Sequence, residues 1–184
     1  MKRYFMLFII GTILTCGFAG ESIPKSKQTD LGLYVNAQEA YNRWEANPEK
    51  VKILDVRTVG EYIYVGHAPM AVNIPLVFLD DKFDSEGNKY KSKQNKKFVK
   101  KVKSVFAKTD TIFIMCRSGG RSARAANLLA KNGFNYAYTI IDGFEGDKVK
   151  DENSYLKGKR MVNGWKNSSA PWTYELEADK VYKK

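Results

Sequence analysis

The sequence predicts an α/β domain with a central, mainly parallel five-stranded sheet flanked by helices on both faces. Three observations carry this. Short apolar runs alternate with stretches of helical periodicity along most of the chain, the pattern of βαβ units. Two of the runs, "VKILDV" and "TIFIM", are almost continuously apolar, as strands buried on both faces are. The 184 residues, 43% of them hydrophobic, suffice for one domain with a substantial core.

The elements follow in chain order. Residues 20–30 are polar and read as a linker, and residues 31–35, "LGLYV", form a short strand. Asn36 caps a helix over residues 37–47, with Pro48 just beyond its end. Residues 51–57 give the second strand and residues 71–76, closing at Pro75 and Leu76, the third. Residues 79–94 read as a polar loop. Phe98, Val99, Val102, Val105 and Phe106 then recur at helical spacing. The fourth strand is residues 111–116, and a helix over residues 122–132 ends at Gly133. Residues 136–142 form the last strand, closed by Gly143. The domain is read as residues 31–175, with the tail rings Trp165, Trp172 and Tyr174 folding back onto it, and residues 176–184 as a terminal tail.

The charge is unusual: 31 Lys+Arg against 20 Asp+Glu gives a net charge of +11. Such a surface favours anionic partners. The lysines of residues 91–103 read as the solvated face of a helix, and no nucleic-acid module accompanies them. At the amino terminus, Lys2 and Arg3 precede an apolar run over residues 4–14 and the small residues Gly17 and Ala19. This is the layout of a secretory signal peptide cleaved after Ala19. The run is shorter than the roughly 20 residues that spanning a bilayer needs. An uncleaved anchor and lipid attachment at Cys16 are the alternatives, and only these would bring the protein to a membrane. The expectation is a periplasmic or otherwise exported protein.

Export leaves one of the two cysteines, Cys116, without an intramolecular partner. Cys116 opens the stretch "CRSGGRS" where the fourth strand ends, and ligands in open α/β sheets bind at such ends. Gly119 and Gly120 let the backbone curl around the sulfur. Successive N–H groups in such a curl form an anion nest, and the helix starting near Arg121 adds its positive end. Arg117 and Arg121 add full charges. A free cysteine titrates near about 8.5, and all these features favour its nucleophilic thiolate.

This loop resembles the Cys-x-x-Gly-x-Arg-Ser/Thr loop of the rhodanese-like sulfurtransferases. "ILDVRTVGEY", "GHAPMAVNIP", "IIDGFEG" and "GWKNSSAPW" resemble further segments of the family in the same order, so the likeness runs from about Val35 to Trp172. Met70, Asp142 and Ser169 stand where the family often has glycine, and residues 145–164 contain an insertion of some twenty residues. The resemblance implies that Cys116 takes the outer sulfur of an anionic donor such as thiosulfate, holds it as a persulfide, and passes it to a thiol or cyanide. It implies donor binding by Arg117, Ser118, Gly119, Gly120, Arg121 and Ser122. Asp55, Arg57, Glu61 and His67 would form a supporting layer, in which Arg57 and Glu61, four residues apart, could pair. His67 is the only histidine and reads as a hydrogen-bonded structural residue. No cofactor or metal is implied. Two other readings stand beside this one. The first is a non-enzymatic sulfur carrier or interaction module for a periplasmic redox partner. The second is a phosphatase or arsenate reductase, whose loops usually place five residues between Cys and Arg, where this one has four.

Overall fold

The computed structural model describes residues 22–183; the segments read as a signal peptide and as Cys16 lie outside them. Five parallel strands form one sheet in the order β1-β7-β6-β2-β3: β1 (Tyr34–Val35), β2 (Val51–Asp55), β3 (Ala71–Asn73), β6 (Thr111–Met115) and β7 (Ala137–Ile140). The five-stranded α/β expectation holds, and every pairing in the sheet is parallel.

The apolar runs are explained by position. β6 is the middle strand, so both of its faces are covered. Ile112 and Ile114 join a core with Leu54, Phe98, Val102 and Leu129 on one face, from α3 (Phe98–Lys103) and α4 (Gly120–Ala130). Phe113 and Met115 join a second core on the other face with Ile53, Phe144, Trp165 and the two alanines Ala37 and Ala40 of α1 (Ala37–Ala46). Burying each large apolar side chain contributes roughly 1.5–3 kcal/mol. That packing fixes the strand end from which Cys116 emerges. Asn36 caps α1 as expected, accepting from Glu39 N at 2.8 Å. Asp142, in a glycine's place, accepts from Ala37 N and Gly164 N, so it ties the start of α1 to the tail; burial pushes its carboxyl above the usual range.

Three regions differ from expectation. Residues 79–94 are not a loop: β4 (Val77–Asp84) and β5 (Lys89–Gln94) pair as an antiparallel hairpin with an irregularity between Leu79 and Phe83. Every residue of β5 is exposed, so no buried face writes an apolar alternation into its sequence. A short helix, α2 (Val59–Tyr64), follows β2, started by a capping box between Thr58 and Glu61. The stretch read as a linker carries a 3-10 turn (Lys25–Lys27) and lies against α4, with Asp30 N donating to Asn127 Oδ1 at 2.8 Å.

The terminal tail also packs on the domain. Lys180 O accepts from Asn73 N at 2.8 Å on the edge strand β3, and Tyr182 lies against Phe78. Of the tail rings, Trp165 is buried and donates to Pro171 O, whereas Trp172 and Tyr174 remain partly exposed beneath Lys166. No helix of the described residues is long and apolar enough to cross a membrane.

Candidate active site

The strand order reverses between β2 and β6. β2 is followed outward by β3, and β6 by β7 on the other side. The crevice at the carboxyl ends of such a pair is where α/β sheets place ligands. Both β2 and β6 end there, the first leading through Thr58 into α2, the second through Cys116 into α4.

Cys116 is the first residue past β6 and is only 2% exposed. The chain turns back over its sulfur. Gly119 N–H donates to Sγ at 3.2 Å, and Gly119 adopts φ +99°, the left-handed region. A side chain there would meet the carbonyl of Ile141 as well as the backbone penalty, so glycine is required on both counts. Gly143 is equally constrained: at φ +67° a Cβ would sit 2.5 Å from Cys116 O. That closeness lets Phe144 N donate to Cys116 O at 2.7 Å and Glu145 N to Arg117 O at 3.0 Å, so the segment after β7 holds the loop from behind.

Ser122 is fully buried. Its hydroxyl donates to Gly119 O at 2.7 Å; with its one hydrogen committed, the 2.7 Å contact with Thr139 is donated by threonine. Ser122 Oγ lies 3.7 Å from Sγ. Gly119 and Ser122 thus shape the loop from within, while Cys116, Arg117, Ser118, Gly120 and Arg121 line a cavity of about 780 Å³.

Two ion pairs brace this arrangement, and neither is the pair suggested by sequence spacing. Arg57 does not reach Glu61. Its guanidinium binds Asp55 instead, with Nη2 at 2.6 Å from Oδ2, donates to Gly66 O at 2.8 Å, and lies 4.0 Å from the centre of the Phe144 ring. Asp55 and Arg57 have no exposed side-chain surface. Glu61 pairs with Arg121 across sixty residues, in two parallel bonds of 2.5 and 2.7 Å, while also accepting from Thr58 N and Oγ1. One carboxylate therefore closes the cap of α2 and anchors α4. Burial by itself would raise the Glu61 carboxyl. The Arg121 guanidinium and the Thr58 donors outweigh it and hold the group at about 2. The same pairing raises Arg121, against the effect of its own burial.

His67 stands apart. It stacks on Tyr62 at 3.8 Å, and its two ring nitrogens lie 3.0 Å from Tyr62 O and 3.2 Å from Glu175 O. It does not line the cavity, so no cysteine–histidine dyad forms.

The cavity holds residues that sequence reasoning did not assign. Thr58 and Gly60 of the α2 entry line it, as do Leu79 and Ser92 of the hairpin and Ser26 of the supposed linker; Arg124, three residues on from Arg121 and so within reach of the same mouth by sequence, lines it too. The Thr-x-x-Glu of residues 58–61 was a readable capping signal; the hairpin's position over the loop had no local signature. Arg117 and Arg124 are exposed, and among the described residues neither side chain has a hydrogen-bond or ion-pair partner.

The comparisons agree with this picture. Residues 36–150 match the family model described as Rhodanese-like domain. An uncharacterized protein of Rickettsia prowazekii is 33% identical over 138 residues, covering 74% of this chain and 93% of its own. A protein of Arabidopsis thaliana named thiosulfate sulfurtransferase 16, chloroplastic, is 37% identical over 93 residues, 50% of this chain and 70% of its own. The crystal structure of Rv0390 from M. tuberculosis superposes with a TM-score of 0.59 at 25% identity, covering 77% of this chain and 96% of that one. The family model spans more than half of the chain, and the chain belongs to the rhodanese-like domain family.

Proposed function

We propose that the protein is a sulfurtransferase that moves a sulfane sulfur from an anionic donor such as thiosulfate, through a persulfide on Cys116, to a thiol or cyanide. One observation carries the reading: Sγ sits under a backbone donor at the start of α4, in a cavity lined by Arg117 and Arg124, the two charges there without a partner among the described residues. In the first half, the Cys116 thiolate attacks the outer sulfur of thiosulfate. A new S–S bond forms, the old one breaks, and its electron pair leaves with sulfite. In the second half, the acceptor attacks the same outer sulfur and the pair returns to Sγ. The two anions on the left are matched by two on the right, and no external oxidant or reductant enters. The name of the Arabidopsis relative, thiosulfate sulfurtransferase 16, supports thiosulfate as the donor class.

The pairing of Arg121 favours sulfur over a phosphate ester. Its guanidinium is committed to Glu61 rather than free to cradle a tetrahedral oxyanion. The amino-terminal pattern supports action outside the cytoplasm, where a periplasmic thiol protein could be the acceptor.

The test is intact mass after incubation with thiosulfate. The expected result is a gain of one sulfur atom, lost again on adding cyanide, with sulfite released in step. Cys116→Ser should fold and neither gain mass nor turn over, a loss of at least about a thousandfold, as removal of a covalent nucleophile produces. A folded wild-type protein with a free thiol that never gains the mass across a range of sulfane donors overturns the enzyme reading.

A further inference from the structure

The hairpin β4–β5 is the largest feature at the cavity that sulfur loading from a small donor leaves unused. Its register shows what it presents. Leu79 pairs with Ser92 and Phe83 with Tyr90. Paired residues share a face of a ribbon; the irregularity between Leu79 and Phe83 adds residues to β4 alone, and on β5 Ser92 and Tyr90 stay two apart and share a face. Leu79 and Ser92 line the Cys116 cavity. The face that looks onto the cavity therefore continues outward as Phe83 and Tyr90, whose rings meet edge-on at 5.3 Å. Each of these side chains keeps at least half of its surface open among the described residues: Leu79 is 67% exposed, Phe83 50% and Tyr90 56%.

We propose that this ridge docks the sulfur acceptor, and that the acceptor is an extended, thiol-bearing segment of a protein with carboxylates beside its cysteine and apolar residues further along. The inference rests on the sulfur-transfer reading and names its acceptor class. Two arguments select the occupant. The first is reach: Tyr90 stands two residues beyond Ser92, roughly 7 Å further along the strand, so a small anion seated on the loop does not touch the ridge and a peptide does. The second is charge. Among the described residues Arg117 and Arg124 are unpaired at the cavity, and the one acid lining it, Glu61, is neutralised by Arg121. Residues 89–108 carry nine lysines and no acid. Carboxylates flanking the incoming thiol meet a surface of the opposite sign, which speeds and orients encounter. In the transfer itself the acceptor thiol attacks the outer sulfur of the Cys116 persulfide. The new S–S bond forms on the acceptor, the S–S bond to Sγ breaks, and the thiol's proton ends on Sγ.

The experiment uses the whole protein and a short labelled peptide with a central serine in place of the reacting cysteine, glutamates beside it and a Leu-x-Phe segment on one side. Binding is followed by fluorescence anisotropy, so it does not depend on sulfur chemistry. The wild type should bind. The double variant Phe83→Ser/Tyr90→Ser should weaken binding by about tenfold, some 1.4 kcal/mol, and Phe83→Leu/Tyr90→Leu should retain it. Replacing the peptide's glutamates with lysines should weaken binding to the wild type by a similar factor. Cyanide turnover by the Ser double variant should match wild type. Equal peptide binding by wild type and the Ser double variant overturns the proposal. So does indifference to the glutamate-to-lysine change, and so does a ridge that binds anionic phosphatidylglycerol vesicles but not the peptide. Loss of sulfur loading with peptide binding intact would instead count against the enzymatic reading alone.

Discussion

Behind the cysteine loop Arg57 is paired; in front of it Arg117 and Arg124 are, among the described residues, free. Asp55 and Arg57 lie wholly inside, joined to each other and to a backbone carbonyl. Arg117 and Arg124 face the cavity exposed and, among the described residues, unpaired. Arg121 marks the boundary, lining the cavity while bound to Glu61. The difference separates two tasks that arginines perform at one site. Paired, they fix shape, because a guanidinium committed to a carboxylate has little charge left to offer. Unpaired, they contribute little to stability and much to the attraction of an anion.

Arg57 carries the most stability of these arginines. Arg57→Ala removes one partner of a buried pair and strands the Asp55 carboxylate, a loss of about 3–5 kcal/mol. Native domains hold only about 5–15 kcal/mol in all, so urea denaturation should show a large fall in midpoint, and activity should fall with the folded fraction. Replacing both partners, Asp55→Leu with Arg57→Met, should recover much of the loss, since no buried charge is left unpaired. A single variant as stable as wild type would show that the inner pair does not hold the loop.

Glu61→Gln sharpens the middle case. Glutamine at this position still closes the capping box of α2, so the variant isolates the bond to Arg121. A carboxyl whose folded value lies below its ordinary one stabilises the fold at any pH above the ordinary value. It loses that contribution as pH falls through the folded value. For Glu61 the window runs from 4.5 down to about 2, and the span corresponds to about 3 kcal/mol. At neutral pH wild type should exceed the variant by up to that amount, and the two stability curves should converge between pH 4.5 and 2. Parallel curves across that window would show that Arg121 does not depress Glu61.

These pairs also mark how far the chain could be read without its fold. The sheet, α1 with its Asn36 cap, and Cys116 at the end of a buried strand were all legible, because burial on two faces and capping write themselves into adjacent residues. The loop's supporting layer was legible as a set, Asp55, Arg57 and Glu61, but mispaired. Spacing along a helix suggested Arg57 with Glu61, whereas Arg57 precedes α2 and turns inward. Glu61 finds Arg121 only because β2 and β6 are neighbours, a tertiary fact. The hairpin was read as a loop because an exposed ribbon needs no hydrophobic period. Ser122 and Gly119 fell on the inside of a curl whose direction depends on Gly143, twenty or more residues away.

The smallest expected change is at the front, and it is the most informative. Arg117→Ala removes an exposed guanidinium that bonds to nothing among the described residues, so stability should stay within about 0.5 kcal/mol of wild type. If Arg117 attracts the donor before chemistry, KM for thiosulfate should rise about tenfold, some 1.4 kcal/mol, with kcat nearly unchanged, the signature of lost uniform binding. Arg124, in the second turn of α4, should show the same pattern at about threefold. Both effects should shrink as salt is raised, because exposed charges are screened over about 8 Å at physiological ionic strength. The Glu61–Arg121 pair, partly shielded from water, should respond less. A fall in kcat at constant KM would move Arg117 from attracting the donor to stabilising the departing sulfite, and the front of the loop would then take part in the bond breaking as well as the capture. A fall in stability would erase the distinction between front and back altogether.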